Sequence, residues 1–348
     1  MVDPRCVVFE HFDSIKTSVL RRLSAMVGPI YRGVGCVLAF HRVANSGGAI
    51  RLGNQSIEMP PEFVEQVIVL LATEGYEFVP INDVPRLLAE SRRDRRFVVV
   101  TFDDGYIETL SLALPILERH QVPFTVYVVP GFADGTAPIW WYLLEEKLLR
   151  ESNVELKYRG SRWWRTRTVD EKQAAFDSIS ALFAAATTRE SARLGELLFG
   201  TAAIKEAAQR LALSWDQIRE MNSSPLVTIG AHTLTHPPLR LLPRDEALWQ
   251  MRGSREAIEK QINAPVEHFA FPFGNATRAG PREFELAREA GFVTAATTRV
   301  ANLFPGHSRS LHSLPRLYTL TPDLGEMRLC LSGSVSAMRY RGRRTVND

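Results

Sequence analysis

Val98-Val99-Val100-Thr101-Phe102-Asp103-Asp104-Gly105-Tyr106 is the stretch on which the fold turns. Three β-branched residues followed by Thr-Phe form a short apolar run, the pattern of a buried strand. The run stops at two adjacent carboxylates and a glycine. Two neighbouring aspartates at the end of a buried strand are costly unless they are paired or hold a metal. At the carboxyl end of a parallel strand such residues usually serve chemistry. Asp-Asp-Gly is also good turn material, and the stretch by itself leaves the two readings level.

Working outward, the chain alternates strand and helix. Gly33 to Val43 is an apolar strand that delivers His41 near its end. Pro60-Pro61 starts a helix with Phe63, Val67 and Leu70 on one face, closed by Gly75. Tyr76 to Ile81 is a strand, and Asn82 or Asp83 caps a short helix before the charged turn Ser91 to Arg96. After Tyr106, the leucines 110, 114 and 117 mark a helix with a local irregularity at Pro115. Phe124 to Val129 is the next buried strand. This rhythm predicts a parallel sheet or barrel.

The rhythm breaks over residues 138–225, which carry almost no strand pattern. Trp140-Trp141 opens a helix to Arg150, and Thr168 and Ser214 each start a capping box. This stretch reads as a helical insertion. Strands then resume at Leu226–His232, Val266–Phe271, Phe292–Thr297 and Leu314–Thr319, with helices at Arg244–Ile262, Pro281–Ala290 and Asp323–Met338. The chain divides into an N-terminal helical segment (1–32), a strand–helix body (33–320) with the insertion inside it, and a C-terminal helix with a basic tail (321–348). The tail from Arg339 is expected to be disordered. In the first segment, Phe12, Ile15, Val19, Leu23 and Met26 share a helical stripe that packs on the body or lies on a membrane surface.

At 348 residues, 45% hydrophobic and 23% charged, the chain has globular proportions, and a net charge of +3 is too small to argue for nucleic acid. The three cysteines, Cys6, Cys36 and Cys330, define no disulfide framework and suit a reducing compartment. No apolar run reaches the roughly 20 residues of a membrane span. The first residues lack a basic start and an apolar core of a signal peptide, so a cytoplasmic protein is expected.

His232-Thr233-Leu234-Thr235-His236 places two imidazoles at i and i+4, where a helical turn would let them share one metal ion. Pro237-Pro238 ends that turn. His41, Asp103, Asp104, His232 and Pro272 all fall at carboxyl ends of predicted parallel strands. In a (β/α) barrel those ends converge on one face. Two histidines and one carboxylate leave open positions on Zn²⁺ or a similar ion. The second carboxylate is then free to act as a base.

With T-F-D-D-G-Y (101–106), G-A-H-T-L-T-H-P (230–237) and F-P-F-G (271–274) in this order, the chain resembles the polysaccharide deacetylases of carbohydrate esterase family four, the nodulation-type deacetylase homology domain. The resemblance covers about Gly33 to Thr319. It implies a distorted (β/α) barrel of seven parallel strands and one divalent metal, commonly zinc. It implies Asp103 as catalytic base and Asp104, His232 and His236 as metal ligands. The implied reaction is removal of an N-acetyl group from an amino sugar of a bacterial glycan, with the oxyanion held by the metal and a backbone N–H near Phe273. Two departures stand out. Many members carry an arginine where this chain has Ala270; Arg316 either replaces it or is an ordinary surface residue. The usual acid-bearing Leu-x-Ile-x-Leu-His stretch is not evident, and His41 is the best substitute, expected across the metal site from Asp103, ahead of His307 and His312. Tyr106, Trp140, Phe273, Gly274 and Asn275 are the substrate-side candidates; the two tryptophans 140 and 141 serve a sugar groove or helix packing equally well. Two rivals remain: hydrolysis of a ureide or cyclic imide on the same fold, and a non-catalytic glycan-binding module.

Overall fold

A computed structural model describes residues 28, 30–44, 50–90 and 96–347. The expected N-terminal helix over Phe12 to Met26 lies outside the described residues, as do Cys6 and most of the charged turn before Arg96.

Eleven strands are formed: β1 (Gly35–Phe40), β2 (Arg42–Val43), β3 (Glu58–Met59), β4 (Tyr76–Phe78), β5 (Arg96–Phe102), β6 (Phe124–Val128), β7 (Asn153–Lys157), β8 (Ser161–Arg165), β9 (Val227–Ala231), β10 (His268–Ala270) and β11 (Thr294–Ala296). Seven of them make one parallel sheet in the order β1-β5-β6-β9-β10-β11, with β4 paired to β5. β5 is its axis. β1 runs beside it from Gly35↔Phe97 to Phe40↔Phe102. The other edge is shared, with β4 on Arg96 to Val98 and β6 on Val100 to Phe102. Val98, Val99, Val100 and Phe102 are all fully buried, which is why the strand reads as a continuous apolar run and not as an alternation.

The expected last strand, Leu314–Thr319, is not a regular strand. It makes two isolated parallel bridges, Leu314 to Ala296 of β11 and Leu317 to Leu38 of β1. Pro315 has no N–H to continue a ladder. The two bridges nevertheless close the ring. Thr297 N–H donates to Leu314 O at 2.8 Å, and Ala39 N–H donates to Leu317 O at 2.9 Å. The sheet is therefore a curled (β/α) barrel whose seam is this short segment. The irregularity expected at Pro115 is a π-helical turn over Thr109–Ala113, followed by the helix Leu114–Arg119.

The insertion between β6 and β9 differs from expectation. It holds the helices Trp140–Arg150, Val169–Ala184, Thr188–Phe199, Thr201–Leu211 and Trp215–Asn222, but β7 and β8 form an antiparallel hairpin among them. Val154 and Leu156 point into the insertion and are buried, while the facing β8 is mostly exposed. The polar and charged residues of β8, with Trp163 and Trp164 adjacent, break the alternation that would have marked it. Both expected capping boxes, at Thr168 and Ser214, are present. The insertion core, with Trp140, Trp141, Phe176 and Phe183, runs continuously into Leu52, Tyr106 and Phe132 at the top of the barrel.

The C-terminal segment also departs from its reading. The single expected helix is two, Leu324–Leu331 and Ser334–Arg339, broken at Gly333. That residue has φ 75°, and a Cβ there would stand 2.1 Å from Tyr31 O. The tail is ordered rather than disordered: Val346 is buried and its N–H donates to His307 Nε2 at 3.2 Å. No described helix is long and apolar enough to cross a membrane.

A buried charge network joins the insertion to the barrel. Glu58, on β3, meets Arg42 at 3.3 Å and Arg51 at 3.2 Å and accepts from the Tyr142 hydroxyl at 2.9 Å. Glu145 of the helix Trp140–Arg150 meets Arg51 and accepts from Leu52 N–H at 2.6 Å. Removing one member of a buried ionic network strands its partners, typically at about 3–5 kcal/mol. Glu58→Ala is therefore expected to lower unfolding stability by roughly 3 kcal/mol, measured by urea titration. Arg86→Ala, at a half-exposed helical pair with Glu90, is expected to change it by less than about 1 kcal/mol.

Candidate active site

β5 ends at Phe102, and Asp103 N–H still donates to Phe40 O at 2.9 Å, so the first aspartate is held as a continuation of the strand. Asp104 and Gly105 then turn the chain at φ 69° and 70°. A non-glycine residue in this region carries a cost of order 1–3 kcal/mol. Among the described residues eight non-glycines have positive φ, and Asp104, Thr233, His236 and Phe273 are four of them. Their strain is concentrated at the ends of β5, β9 and β10.

The H-x-x-x-H segment is not a helical turn. It is an irregular loop after β9 in which Thr233 and His236, both at positive φ, fold the two imidazoles together with ring centroids 5.0 Å apart. Thr233 Oγ1 accepts from His236 N–H at 3.0 Å. Gln250, fully buried on the helix Arg244–Ile262, accepts from Leu234 and Thr235 N–H at 3.0 and 3.1 Å and shapes the loop from below. Nothing in the sequence marks Gln250, because one polar residue inside a long amphipathic helix carries no signal of where it points.

Asp104, His232 and His236 bring ligand-type atoms within 4.8 Å of one another. Asp104 Oδ1 lies 3.5 Å from His232 Nε2 and 3.2 Å from His236 Nε2, and it is buried without a hydrogen-bond partner among the described residues. His232 Nδ1 is 2.7 Å from Ala270 O. A carbonyl can only accept, so Nδ1 carries the proton and Nε2 faces the cluster with its lone pair. An orphaned carboxylate oxygen beside an oriented imidazole lone pair fits a cation. Burial pushes the Asp104 carboxyl up, but His236, His41 and His232 outweigh it and hold the group far below the usual carboxylate range. Burial lowers His232 to about 4, against the raising effect of Asp103.

Asp103 has a different partner. Arg316 is fully buried, not a surface residue. Its Nη1 and Nη2 donate to Asp103 Oδ1 and Oδ2, each at 2.7 Å, its Nε donates to Thr297 O at 2.9 Å, and its Nη1 reaches Thr101 Oγ1 at 3.3 Å. The guanidinium fork thus occupies both carboxylate oxygens. Burial raises the Asp103 pKa, and the Arg316 charge reverses that, leaving it below the ordinary value. The closing segment of the barrel thus supplies the charge that faces Asp103, while Ala270 contributes its carbonyl to His232.

These groups open into one cavity of about 80 Å³ at the carboxyl ends of the strands, whose lining includes His41, Asp103, Asp104, Trp141, His232, His236, Phe273 and Asn275. His41 lies beside Asp103 and not across from it, with Nε2 3.8 Å from Oδ2 and a ring 27% exposed. Burial lowers its pKa, partly offset by Asp103 and Asp104. His307 and His312 do not line this cavity; both are bonded to backbone elsewhere. Phe273 and Asn275 are on the wall, while Gly274 supports it by accepting from Thr298 N–H at 3.1 Å. Two substrate-side candidates are displaced. Trp140 stacks on Phe183 at 4.6 Å inside the insertion, and its neighbour Trp141 lines the cavity instead. Tyr106 is buried beneath the wall and accepts from Trp141 Nε1 at 2.9 Å. Two adjacent tryptophans opening a helix point in different directions, and only the helix phase decides which one faces the site. Ser56, Ile57, Thr298 and Tyr318 are also on the lining, and no motif in the sequence singles them out.

The site is thus an Asp-His-His cluster beside a second, arginine-held aspartate at the strand ends of a parallel (β/α) barrel. The chain belongs to the polysaccharide deacetylase family, whose sequence pattern it matches over residues 90–295. Among solved structures it is similar to the deacetylase PplD of Streptococcus pyogenes, determined in complex with acetate (18% identical, TM-score 0.56, covering 85% of this chain and 96% of that one). It is also similar to IcaB from Ammonifex degensii (19% identical, TM-score 0.55, 86% and 97%) and to a de-N-acetylase from Aggregatibacter actinomycetemcomitans (16% identical, TM-score 0.55, 85% and 99%). At these identities the likeness is one of fold. No curated protein sequence matches the chain.

Arg316→Met leaves the Asp103 carboxylate buried and unpaired. The expected loss of stability is about 3–5 kcal/mol, read from urea unfolding. The double variant Asp103→Leu/Arg316→Met, which removes both charges, is expected to recover most of it. A single variant within about 1 kcal/mol of the parent would show that the pair is not the source of the stability.

Proposed function

We propose that this protein is a metal-dependent N-deacetylase acting on N-acetylated amino-sugar units of a bacterial polysaccharide or its oligosaccharide precursor. The observation that carries this reading is the division of labour between the two aspartates: Asp104 is left with a free oxygen among imidazoles, whereas Asp103 is held by both oxygens on Arg316.

Asp104, His232 and His236 would hold one divalent ion, with zinc the first candidate for two imidazoles and a carboxylate. Such an ion supplies Lewis acidity to an amide carbonyl and activates water for attack. The chain's own residues then have distinct tasks. Asp103 takes the proton of the attacking water; the Arg316 fork lowers its basicity but fixes its direction. His41, 3.8 Å from Asp103, sits where it can take up that proton and hand it to the departing amine. Its depressed pKa leaves the resting ring neutral near pH 7, so it acts as acid only after gaining the proton from the Asp103 side. Phe273 brings backbone at positive φ to the wall beside His236, their rings 5.0 Å apart. Trp141 and Asn275 offer an aromatic face and an amide to a sugar ring.

Acetate release from a panel of N-acetylated oligosaccharides, with metal content measured on the same samples, tests the reading. The metal-loaded protein is expected to release acetate, and Asp103→Asn to keep its metal while losing about 10²–10⁴-fold in turnover. Near-parental turnover in the metal-loaded variant would remove Asp103 from the role of base. Release of carbon dioxide and ammonia from a ureide, with none of acetate from any glycan, would replace the substrate.

His41→Ala is expected to slow amide cleavage by roughly 10²-fold or more and to slow an activated acetyl ester much less, since that leaving group needs no proton. Equal losses on the two substrates would make His41 a structural residue.

A further inference from the structure

The two imidazoles of the cluster are held by different means. His232 is fixed by its hydrogen bond to Ala270 O at 2.7 Å, the usual device for a metal-binding histidine. His236 lacks it: its Nδ1 is buried with no hydrogen-bond partner among the described residues. Its backbone sits at φ 63°, so neither a second-nitrogen bond nor a relaxed backbone sets the direction of its ring. Three aromatic rings do so. Phe273, Trp141 and Phe132 stand 5.0, 5.2 and 5.8 Å from the imidazole, centroid to centroid.

Of the three, Trp141 alone comes from the insertion helix Trp140–Arg150, and it is tied at both ends. Its carbonyl accepts from Asn54 Nδ2 at 3.1 Å, and its indole N–H donates to the Tyr106 hydroxyl at 2.9 Å. Tyr106 itself follows Asp104 by two residues, directly after the left-handed turn at Asp104 and Gly105, and its ring is buried. Trp141 therefore packs on one ligand-type side chain through its ring and is anchored to the turn that carries another through Tyr106.

On the reading of Asp104, His232 and His236 as a metal site, we infer that Trp141 and Tyr106 are a positioning pair: together they hold His236 and Asp104 in register, and the insertion thereby sets the metal affinity of a barrel to which it contributes no ligand. The role differs from filling a core. A core filler changes the stability of the metal-free fold; a positioning pair changes how tightly the folded protein binds an ion.

The test is a double-mutant cycle on Trp141→Phe and Tyr106→Phe, both of which keep an apolar ring in place. Zinc and cobalt affinities are measured by chelator competition, the cobalt absorption spectrum reports ligand geometry, and thermal unfolding in chelator reports the metal-free fold. Each single variant is expected to bind roughly 10-fold more weakly, with a shifted cobalt spectrum. The double variant is expected to be scarcely weaker than the worse single one, because the two act as a unit. Affinities within twofold of the parent in both single variants, whatever the change in unfolding, overturn the inference. Losses that multiply in the double variant overturn the pairing. If Trp141→Phe does not fold, Tyr106→Phe decides alone: parental affinity and spectrum refute the pair, and a tenfold loss supports it. A parent protein that binds neither ion instead overturns the metal-site reading itself, a result distinct from the others.

Discussion

The contact on which the molecule depends is the fork between Arg316 and Asp103. Arg316 is fully buried and Asp103 almost so, and an unpaired ion at that depth would cost several kcal/mol. Two parallel hydrogen bonds at 2.7 Å answer that cost and also fix the carboxylate plane. Asp103 sits at the end of the central strand, and Arg316 sits on the segment that bridges β11 to β1. Barrel closure and the orientation of one aspartate are therefore a single event in space. The partition of the two aspartates follows from it. The fork aims both oxygens of Asp103 at Arg316, and the oxygen left beside His232 and His236 is that of Asp104, turned away by its left-handed backbone.

Around this pair the structure concentrates strain and then confines it. Asp104, Thr233, His236 and Phe273 hold unfavourable backbone angles within one mouth, each tolerable only when its surroundings leave no alternative. The surroundings are specific. Gln250 supports the histidine loop, Thr298 N–H bonds to Gly274 O, and the Glu58 and Glu145 network clamps the segment 51–59 to the insertion. The insertion is thus part of the wall, joined to the barrel by largely buried ionic contacts.

Much of the fold was legible because its signals are local. The apolar run of β5, the alternation of strand and helix, and the capping boxes of the insertion each need only a few neighbouring residues. Asp103, Asp104, His232 and His236 were legible because each closes a strand or follows one directly. What escaped were features set by distance or phase. Arg316 gave no sign of burial, since its partner lies 213 positions earlier. Trp140 and Trp141 are the same residue type side by side, and their roles depend on a helix rotation of one position. The β7–β8 hairpin was hidden by charged residues on its exposed face. The tail was misread because one buried valine, Val346, outweighs the polar residues about it.

The seam has a temporal meaning as well. During synthesis, Asp103 emerges long before Arg316, and the intervening chain includes the whole insertion. Until the last turn of the ring is laid down, the central strand ends in a carboxylate with no arginine to pair it. Contacts of such long sequence separation are entropically late. A chain cut short before residue 316 would possess both histidines and both aspartates yet lack the guanidinium that holds Asp103 and the bridge to β1. The geometry of closure thus makes the setting of the first aspartate a proof of length.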